Sequence, residues 1–488
     1  MPRLTAALLL ALLAALWSLW TLEGARQGIT ITQGAVGDTP VTRYTDGSGG
    51  PVVVIAHGFA GSRQMMQAYA LTLAQAGYTA VAFDFEGHGR NPRPMSGDVT
   101  AIEGTTQRLV DQTRAVVAAS RQGDASVALL GHSMATDVLV RVAQDAPDIG
   151  PLVLLSAFSQ AITPRHPQNL LLITGAWEPG LREFALQAAQ MVAPAARYGE
   201  AVTTGGVTRQ ALLAPFVEHV AILQSRAGRA AARLWLDGFY GRDSRAAEPP
   251  TGWALLLLLA AITALAAPLA RLLPQGHSAQ SALPRLGRGG FAAATLIPML
   301  TAPLLTAPID SRVLPVLVAD ALALHLLVYG LIQGALLWWL RGAPGRVAPR
   351  AFAGLVIWGL GAFGLALDRY GANFWPTPDR LWIISALAVG AVPFMLADAW
   401  AALGAPLWQR ILARLAVLLS LGIAVALDFE GMFFVIMILP VIVLFWLTFG
   451  LMGRFVAARA GATSAGLALG LILAWALGVS FPLFQTGV

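Results

Sequence analysis

The pentapeptide Gly131-His132-Ser133-Met134-Ala135 sits where an apolar run ends and a helical pattern begins. A serine in so tight a strand-to-helix turn has its Oγ held clear of the backbone, and the turn closes only if its flanking residues are small. The chemistry this suits is nucleophilic. A hydroxyl activated by a neighbouring base attacks a carbonyl carbon and carries the acyl group until water releases it. The usual spacing is G-x-S-x-G, and Ala135 adds one methyl at the last position. By itself the pattern is weak, because an ordinary turn with a helix-capping serine has the same residues. A base and an acid must accompany it. The chain offers seven histidines, His57, His88, His132, His166, His219, His277 and His325. It has no cysteine, which excludes thiolate nucleophiles, cysteine zinc sites and disulfides.

Two more segments stand at the ends of apolar runs. His57-Gly58-Phe59 follows Pro51–Ala56, and Asp84-Phe85-Glu86-Gly87-His88-Gly89-Arg90 follows Thr79–Phe83. With the Ser133 turn they form an ordered set: an H-G-x loop, a D-x-x-G-x-G loop and G-H-S-M-A. This set resembles the α/β-hydrolase superfamily, particularly its lysophospholipase-like and dienelactone-hydrolase-like esterases, over roughly residues 30–240.

The resemblance implies a triad in the chain order Ser, acid, His. His57, His88 and His132 precede or adjoin the serine and read as turn and loop residues. His166 precedes any acid in a suitable context, His277 falls in a loop between apolar segments, and His325 lies inside one. His219 follows a short strand-like run and precedes a helical stretch near 220–236, which matches the family's histidine. A plain surface histidine is the alternative. Where the family carries Gly-x-x-Asp after the preceding strand, this chain carries Gly175-Ala176-Trp177-Glu178. Glu178 would hold the His219 tautomer and stabilise the imidazolium while His219 takes the Ser133 proton. Glu183 and Glu218 compete for that role, although Glu218 adjoins His219 in sequence and would point away. The implied oxyanion donors are the backbone N–H groups of Phe59 and Met134. The resemblance implies neither a metal nor a cofactor.

These residues need a scaffold. The runs Pro51–Ala56, Thr79–Phe83, Ser126–Leu130, Pro151–Ser156 and Leu170–Thr174 alternate with helical stretches near Arg63–Ala76, Thr105–Ser120, Ala135–Gln144 and Leu181–Val192. Near-continuous apolar strands separated by helices predict a mostly parallel sheet covered on both faces. The short connection between the fourth and fifth runs leaves no room for the helical cap many family members carry there. The expected hydrolase domain is 25–247, ending in the linker at 246–252.

The rest of the chain lives in lipid. Hydrophobic residues make up 56% of its 488 positions and charged residues 12%, against roughly 25% charged in a soluble domain. Leu4 to Leu22 is long enough to cross ~30 Å of hydrocarbon. It reads as an anchor (residues 1–24), with a cleavable signal peptide as the competing reading. The remainder, 248–488, predicts an all-α transmembrane bundle with apolar segments near 253–273, 290–309, 313–340, 351–367, 381–403, 411–427, 432–452 and 463–484. Alternate loops hold Arg271, Arg285 and Arg288, then Arg341, Arg346 and Arg350, then Arg410 and Arg414, then Arg454 and Arg459. The other loops hold only Arg312, Arg369 and Arg380. The positive-inside rule puts the richer set in the cytoplasm and the hydrolase domain and C-terminus outside.

The net charge of +6 does not point to a nucleic acid, because the arginines recur at the ends of apolar runs instead of clustering on a polar segment. Inside the segments, Asp320, His325 and Asp398 are the costly residues. Asp320 and His325 suit a polar cavity or interhelical hydrogen bonds equally, and Asp398 lies close enough to a helix end to reach the interface. Pro393 and Pro440 predict kinks.

Together these features predict a serine hydrolase at the outer face of a bacterial inner membrane. Its partners would be the bilayer and an apolar or lipid ester. A small soluble ester, thioester or peptide bond is the alternative substrate. Transport by the membrane region beside an accessory or inactive hydrolase is the alternative function. Oligomeric state is not legible.

Overall fold

The computed structural model describes residues 2–97, 102–144, 146–275, 286–309 and 313–485. His277, Arg285 and Arg312 lie outside the described residues. The chain divides into two compact units. The first comprises Trp17–Leu256 with Asp368–Asn373 and residues from Pro482 onward, and the second comprises Leu257–Leu367, Phe374–Phe481 and the N-terminal residues up to Leu16.

In the first unit, nine strands form one sheet. They are β1 (Thr30–Val36), β2 (Thr39–Thr45), β3 (Val52–Ala56), β4 (Thr79–Phe83), β5 (Val127–His132), β6 (Ile149–Leu155), β7 (Asn169–Gly175), β8 (Ala201–Thr204) and β9 (Val207–Ala214). Their order is β1-β2-β4-β3-β5-β6-β7-β9-β8. The six from β4 to β9 in that order run parallel, while β1, β2 and β8 are antiparallel additions at the edges. The chain opens on helix α1 (Pro2–Gly24), and the sheet is covered by α2 (Gln67–Gln75), α3 (Gln107–Ser120), α4 (Met134–Ala143), α5 (Pro179–Gln190) and α6 (Arg226–Tyr240).

Successive strand residues point to opposite faces, and both faces of this sheet are apolar. Val52, Val54 and Ala56 pack with Leu109, Val116, Val138 and Ala185, so α3, α4 and α5 cover one face. Val53 and Ile55 pack with Leu71, Leu73 and Leu236, so α2 and α6 cover the other. This is the α/β-hydrolase architecture expected from the sequence. No helix interrupts the connection from Ser156 to Gln168, so the sheet has no cap there.

The apolar runs point to β3–β7 but not to the outer strands. The reason is physical: β1 reads TITQGAV with most positions exposed and β8 reads AVTT, also largely exposed. Edge strands carry little of the apolar signal. The helix expected near 220–236 is also divided. Ala221–Gln224 forms a 3₁₀ turn, and Ser225 then caps α6 by accepting the Gly228 N–H at 3.1 Å.

The chain is an integral membrane protein. Among the described residues, nine helices are long and apolar enough to span: Ala6–Gly24, Thr251–Ala270, Arg288–Thr306, Ala319–Arg341, Pro349–Tyr370, Pro378–Ala402, Leu407–Leu427, Val435–Ala460 and Ala462–Ser480. All nine expected segments are present, with shifted ends. Arg454 and Arg459, expected in a loop, are helical, because the chain bends at Thr448 and then continues as Phe449–Ala460. Asp320 accepts the Leu314 N–H at 2.8 Å in the first turn of its helix. His325 lies 3.0 Å from Ser420 Oγ on another helix, which favours the interhelical hydrogen bond over a cavity. Pro393 and Pro440 lie inside helices that continue through them.

Candidate functional site

Ser133 stands alone between β5 and α4 at φ 53° and ψ −119°. An L-residue enters that region only when its surroundings force it there, and the surroundings are visible. A Cβ on Gly131 would meet Leu139 Cδ1 at 2.5 Å and the Ala135 methyl at 3.2 Å. With Gly131 bare, the Ala135 methyl fits, and it is fully buried. The departure from G-x-S-x-G therefore costs the turn nothing. Ser133 N donates to Leu155 O at 3.0 Å, which ties the turn to β6.

The structure brings Ser133, His219 and Glu178 together. His219 Nε2 lies 2.8 Å from Ser133 Oγ, and its Nδ1 lies 2.6 Å from Glu178 Oε1. Three segments supply them: the β5–α4 turn, the loop after β9 and the β7–α5 connection. Glu178 Oε2 accepts Ser156 Oγ at 2.6 Å and the Gly175 N–H at 2.8 Å. A Cβ on Gly175 would sit 2.7 Å from Glu178 Oε2 and 2.6 Å from Val217 O, so this position must be glycine. Burial pushes the Glu178 carboxyl up, but the hydrogen bonds from His219, Ser156 and Gly175 outweigh it and hold the group below its ordinary value. Glu178 is thus an anion facing three donors. That arrangement fixes His219 with Nδ1 protonated and leaves Nε2 free to accept from the serine.

The competing acids go elsewhere. Glu218 accepts the Val220 and Ala221 N–H groups at 2.9 and 2.7 Å, and Glu183 pairs with Gln187 on α5. His57 is buried, with Nδ1 2.7 Å from Gly58 O and Nε2 accepting the Phe85 N–H at 3.1 Å. It braces the loop that carries Phe59. A Cβ on Gly58 would lie 2.9 Å from Ser133 Cβ, so this loop passes directly over the serine. Met134 opens α4, where backbone N–H groups lack helical acceptors. The D-x-x-G-x-G loop is a brace as well. Buried Asp84 pairs with Arg63 and accepts the Arg90 N–H at 3.0 Å, and a Cβ on Gly89 would meet Asp84 Cγ at 2.4 Å.

Two residues outside the expected set hold the site. Ser156 supports Glu178 as described. His132 Nε2 donates to His219 O at 2.7 Å and so positions the backbone of the histidine. The signal for Ser156 is its place at the end of an apolar run. For His132, nothing in the sequence distinguishes it from a turn residue.

Burial, with the nearby His219 adding to it, lowers His132 from 6.5 to about 4. The unfolded chain takes up this proton near 6.5 and the folded chain only near 4, so stability falls as pH drops between the two. Urea unfolding of the full chain in detergent is expected to show this loss, and His132→Gln to flatten it. Buried His57 is lowered in the same direction, so some of the slope persists. An unchanged slope in His132→Gln would count against the buried neutral imidazole. Glu178 acts in a different window: its contribution is present above its ordinary value of 4.5 and is lost below it.

Four large apolar side chains close to the site residues in sequence are exposed. Phe158, Trp177, Phe216 and Val220 are 56, 63, 81 and 53% exposed, and each is within a few residues of a site residue.

The family model for serine aminopeptidase, S33, matches residues 50–235. An uncharacterized protein of Mycobacterium tuberculosis, in strains CDC 1551 and H37Rv, is 33% identical over 120 residues, which is 24% of this chain. The chain spans 39% of the length of these curated relatives. A CIB-like hydrolase from Thermoplasma acidophilum is 16% identical over 43% of this chain and 99% of its own, with a TM-score of 0.35. A thioesterase domain from the curacin biosynthetic pathway is 17% identical over 43% of this chain and 99% of its own, at 0.32. An epoxide hydrolase from an endophytic Streptomyces is 15% identical over 44% and 97%, at 0.33.

Proposed function

We propose that the protein is a membrane-bound serine hydrolase in which Ser133, His219 and Glu178 form the catalytic triad. The observation that carries this is the continuous hydrogen-bond chain from Ser133 Oγ through both nitrogens of His219 to Glu178. His219 Nε2 takes the Ser133 proton as Oγ attacks the carbonyl carbon of an ester. The oxyanion that forms lies against the N–H groups of Phe59 and Met134, one such donor being worth about 3 kcal/mol of barrier. The imidazolium then gives its proton to the departing alcohol, leaving an acyl-Ser133. Water repeats the sequence in the second half and releases the acid.

The substrate class in this proposal is an apolar carboxylic ester, lipid or lysolipid, of the kind lysophospholipase-like and dienelactone-hydrolase-like esterases suggest. The exposed Phe158, Trp177 and Phe216, close in sequence to the site residues, and the uncapped β6–β7 connection support it. So does the presence of spanning helices in the same chain. With the arginine-rich loops in the cytoplasm of a bacterium, the hydrolase domain faces the periplasm. The family match favours a second substrate, an aminoacyl amide.

The test is fluorophosphonate labelling of the full chain in detergent, with turnover of short-chain, long-chain and aminoacyl amide substrates in parallel. Labelling is expected in the wild type and absent in Ser133→Ala, with long-chain esters turned over fastest. A folded wild type that does not label would remove the enzyme assignment. Turnover confined to aminoacyl amides would replace only the substrate class.

A further inference from the structure

A cavity of about 520 Å³ opens within the second unit, among the helices Pro378–Ala402, Leu407–Leu427, Val435–Leu447 and Phe449–Ala460. Its walls are apolar except for Asp398, Arg410, Arg414, Arg454 and the indole of Trp446. Three guanidinium groups therefore face one carboxylate. Asp398 lies 3.4 Å from Arg414, whose guanidinium also sits 5.4 Å from the centre of the Trp446 ring. That pair accounts for one positive charge. Arg410 and Arg454 make no ion pair among the described residues.

Hydrogen-bond donors are in surplus too. Arg410 Nε, Arg414 Nε and Trp446 Nε1 are all buried without an acceptor among the described residues. Buried donors are nearly always satisfied in folded proteins, and charged ones pay most for being left alone. Three of them around one cavity, with two unpaired arginines, call for a ligand that is anionic and rich in acceptor oxygens. Guanidinium groups suit phosphate oxygens best, because their forked N–H groups match them in pairs. The remaining walls are not those of a site for a free ion. Leu407, Ile411, Leu447 and Leu451 line the same cavity and are exposed. Exposed leucines and isoleucines on spanning helices meet acyl chains.

We propose that this cavity binds the headgroup phosphate of an anionic phospholipid, with the acyl chains lying along the exposed apolar residues at its edge. A zwitterionic headgroup would bring an ammonium toward Arg410 and Arg454, so net negative charge is required. Basic pockets between membrane helices near the cytoplasmic face are where anionic headgroups bind in general. The positive-inside expectation puts Arg410 and Arg454 on that side.

The test uses the delipidated full chain in neutral detergent, with native mass spectrometry and thermal midpoint read together. Phosphatidylglycerol is expected to bind one to one and raise the midpoint by several degrees. Phosphatidylcholine at the same concentration should do neither. Arg454→Gln and Arg410→Gln should each weaken phosphatidylglycerol binding about tenfold, the scale of one charge-assisted hydrogen bond. Arg454→Lys should keep most of it, and Arg350→Gln, an exposed arginine outside the cavity, should keep all of it. Arg454 is exposed, so it carries the test even if Arg410→Gln fails to fold. Equal binding of the two lipids, or phosphatidylglycerol binding that survives both glutamine variants, would overturn the anion site. Stabilisation by inorganic phosphate equal to that by phosphatidylglycerol would overturn the lipid assignment.

Discussion

Replacing His219 with alanine is expected to lower ester turnover by about five to six orders of magnitude while the chain still folds. The size follows from what remains. Among the described residues His219 is the one side-chain partner of Ser133 Oγ, and without a base serine at neutral pH is a poor nucleophile. Removing the base of a serine triad costs about as much as removing the whole triad, because its members act as a unit. Ser133→Ala with His219→Ala should therefore be no slower than either change alone. Folding should survive, since the His219 side chain is 42% exposed and contributes little to the core. Glu178→Gln should cost less, about four orders of magnitude. Its three partners, His219 Nδ1, Ser156 Oγ and Gly175 N, all donate to a carboxylate. An amide puts a donor against at least one of them and favours the wrong imidazole tautomer. The measurement is kcat/KM on a short-chain ester for all four variants, with size-exclusion profiles in detergent as the folding control. A His219→Ala enzyme within tenfold of wild type would falsify the role given to His219.

Much of this site was legible because its chemistry is local in sequence. Ser133 is marked by small neighbours at fixed spacing, and each has a steric reason in the structure: Gly131 clears Leu139, and Ala135 fits against the bare Gly131. The same holds for Gly175, which must approach both Glu178 and Val217. His219 was reachable by chain order among seven histidines, but only once a family pattern supplied that order. What escaped is non-local. His132 supports His219 across 87 residues and Ser156 supports Glu178 across 22, through hydrogen bonds that leave no periodic trace.

Fold legibility divides along the same line. The strands β3 to β7 are buried on both faces and read as apolar runs. By contrast, β1 and β8 are exposed edges, and their residues match a loop's as well as a strand's. The spans were legible by length and hydropathy alone. Their ends were not: Arg454 stays helical beyond the expected boundary, because the chain bends at Thr448 and continues as Phe449–Ala460.

The largest stability effect is expected from one methyl group in the helix bundle. A Cβ on Gly390 would sit 2.0 Å from Ala323 O and 2.8 Å from Ala323 C, where helices Ala319–Arg341 and Pro378–Ala402 meet backbone to backbone. Gly330 makes the reciprocal contact, its Cβ position lying 2.5 Å from Phe394 N. Gly466 and Gly470, on the helix Ala462–Ser480, approach the backbone of Leu396 and Val392 at 2.6 and 2.5 Å. In lipid, apolar burial gives helices no reason to associate, so close packing at small residues must do it. A clash with backbone cannot be relieved by a rotamer change, as one with a side chain can. Gly390→Ala is therefore expected to cost at least the ~1–3 kcal/mol of an overpacked core. It should appear as a lower thermal midpoint and loss of the monodisperse peak in detergent. Gly422→Ala is the control: nothing lies within 4 Å of its Cβ position, so it should change stability by less than about 0.5 kcal/mol. Equal midpoints for the two variants would mean that these helices do not touch at Gly390, and that the bundle is held by its larger side chains instead.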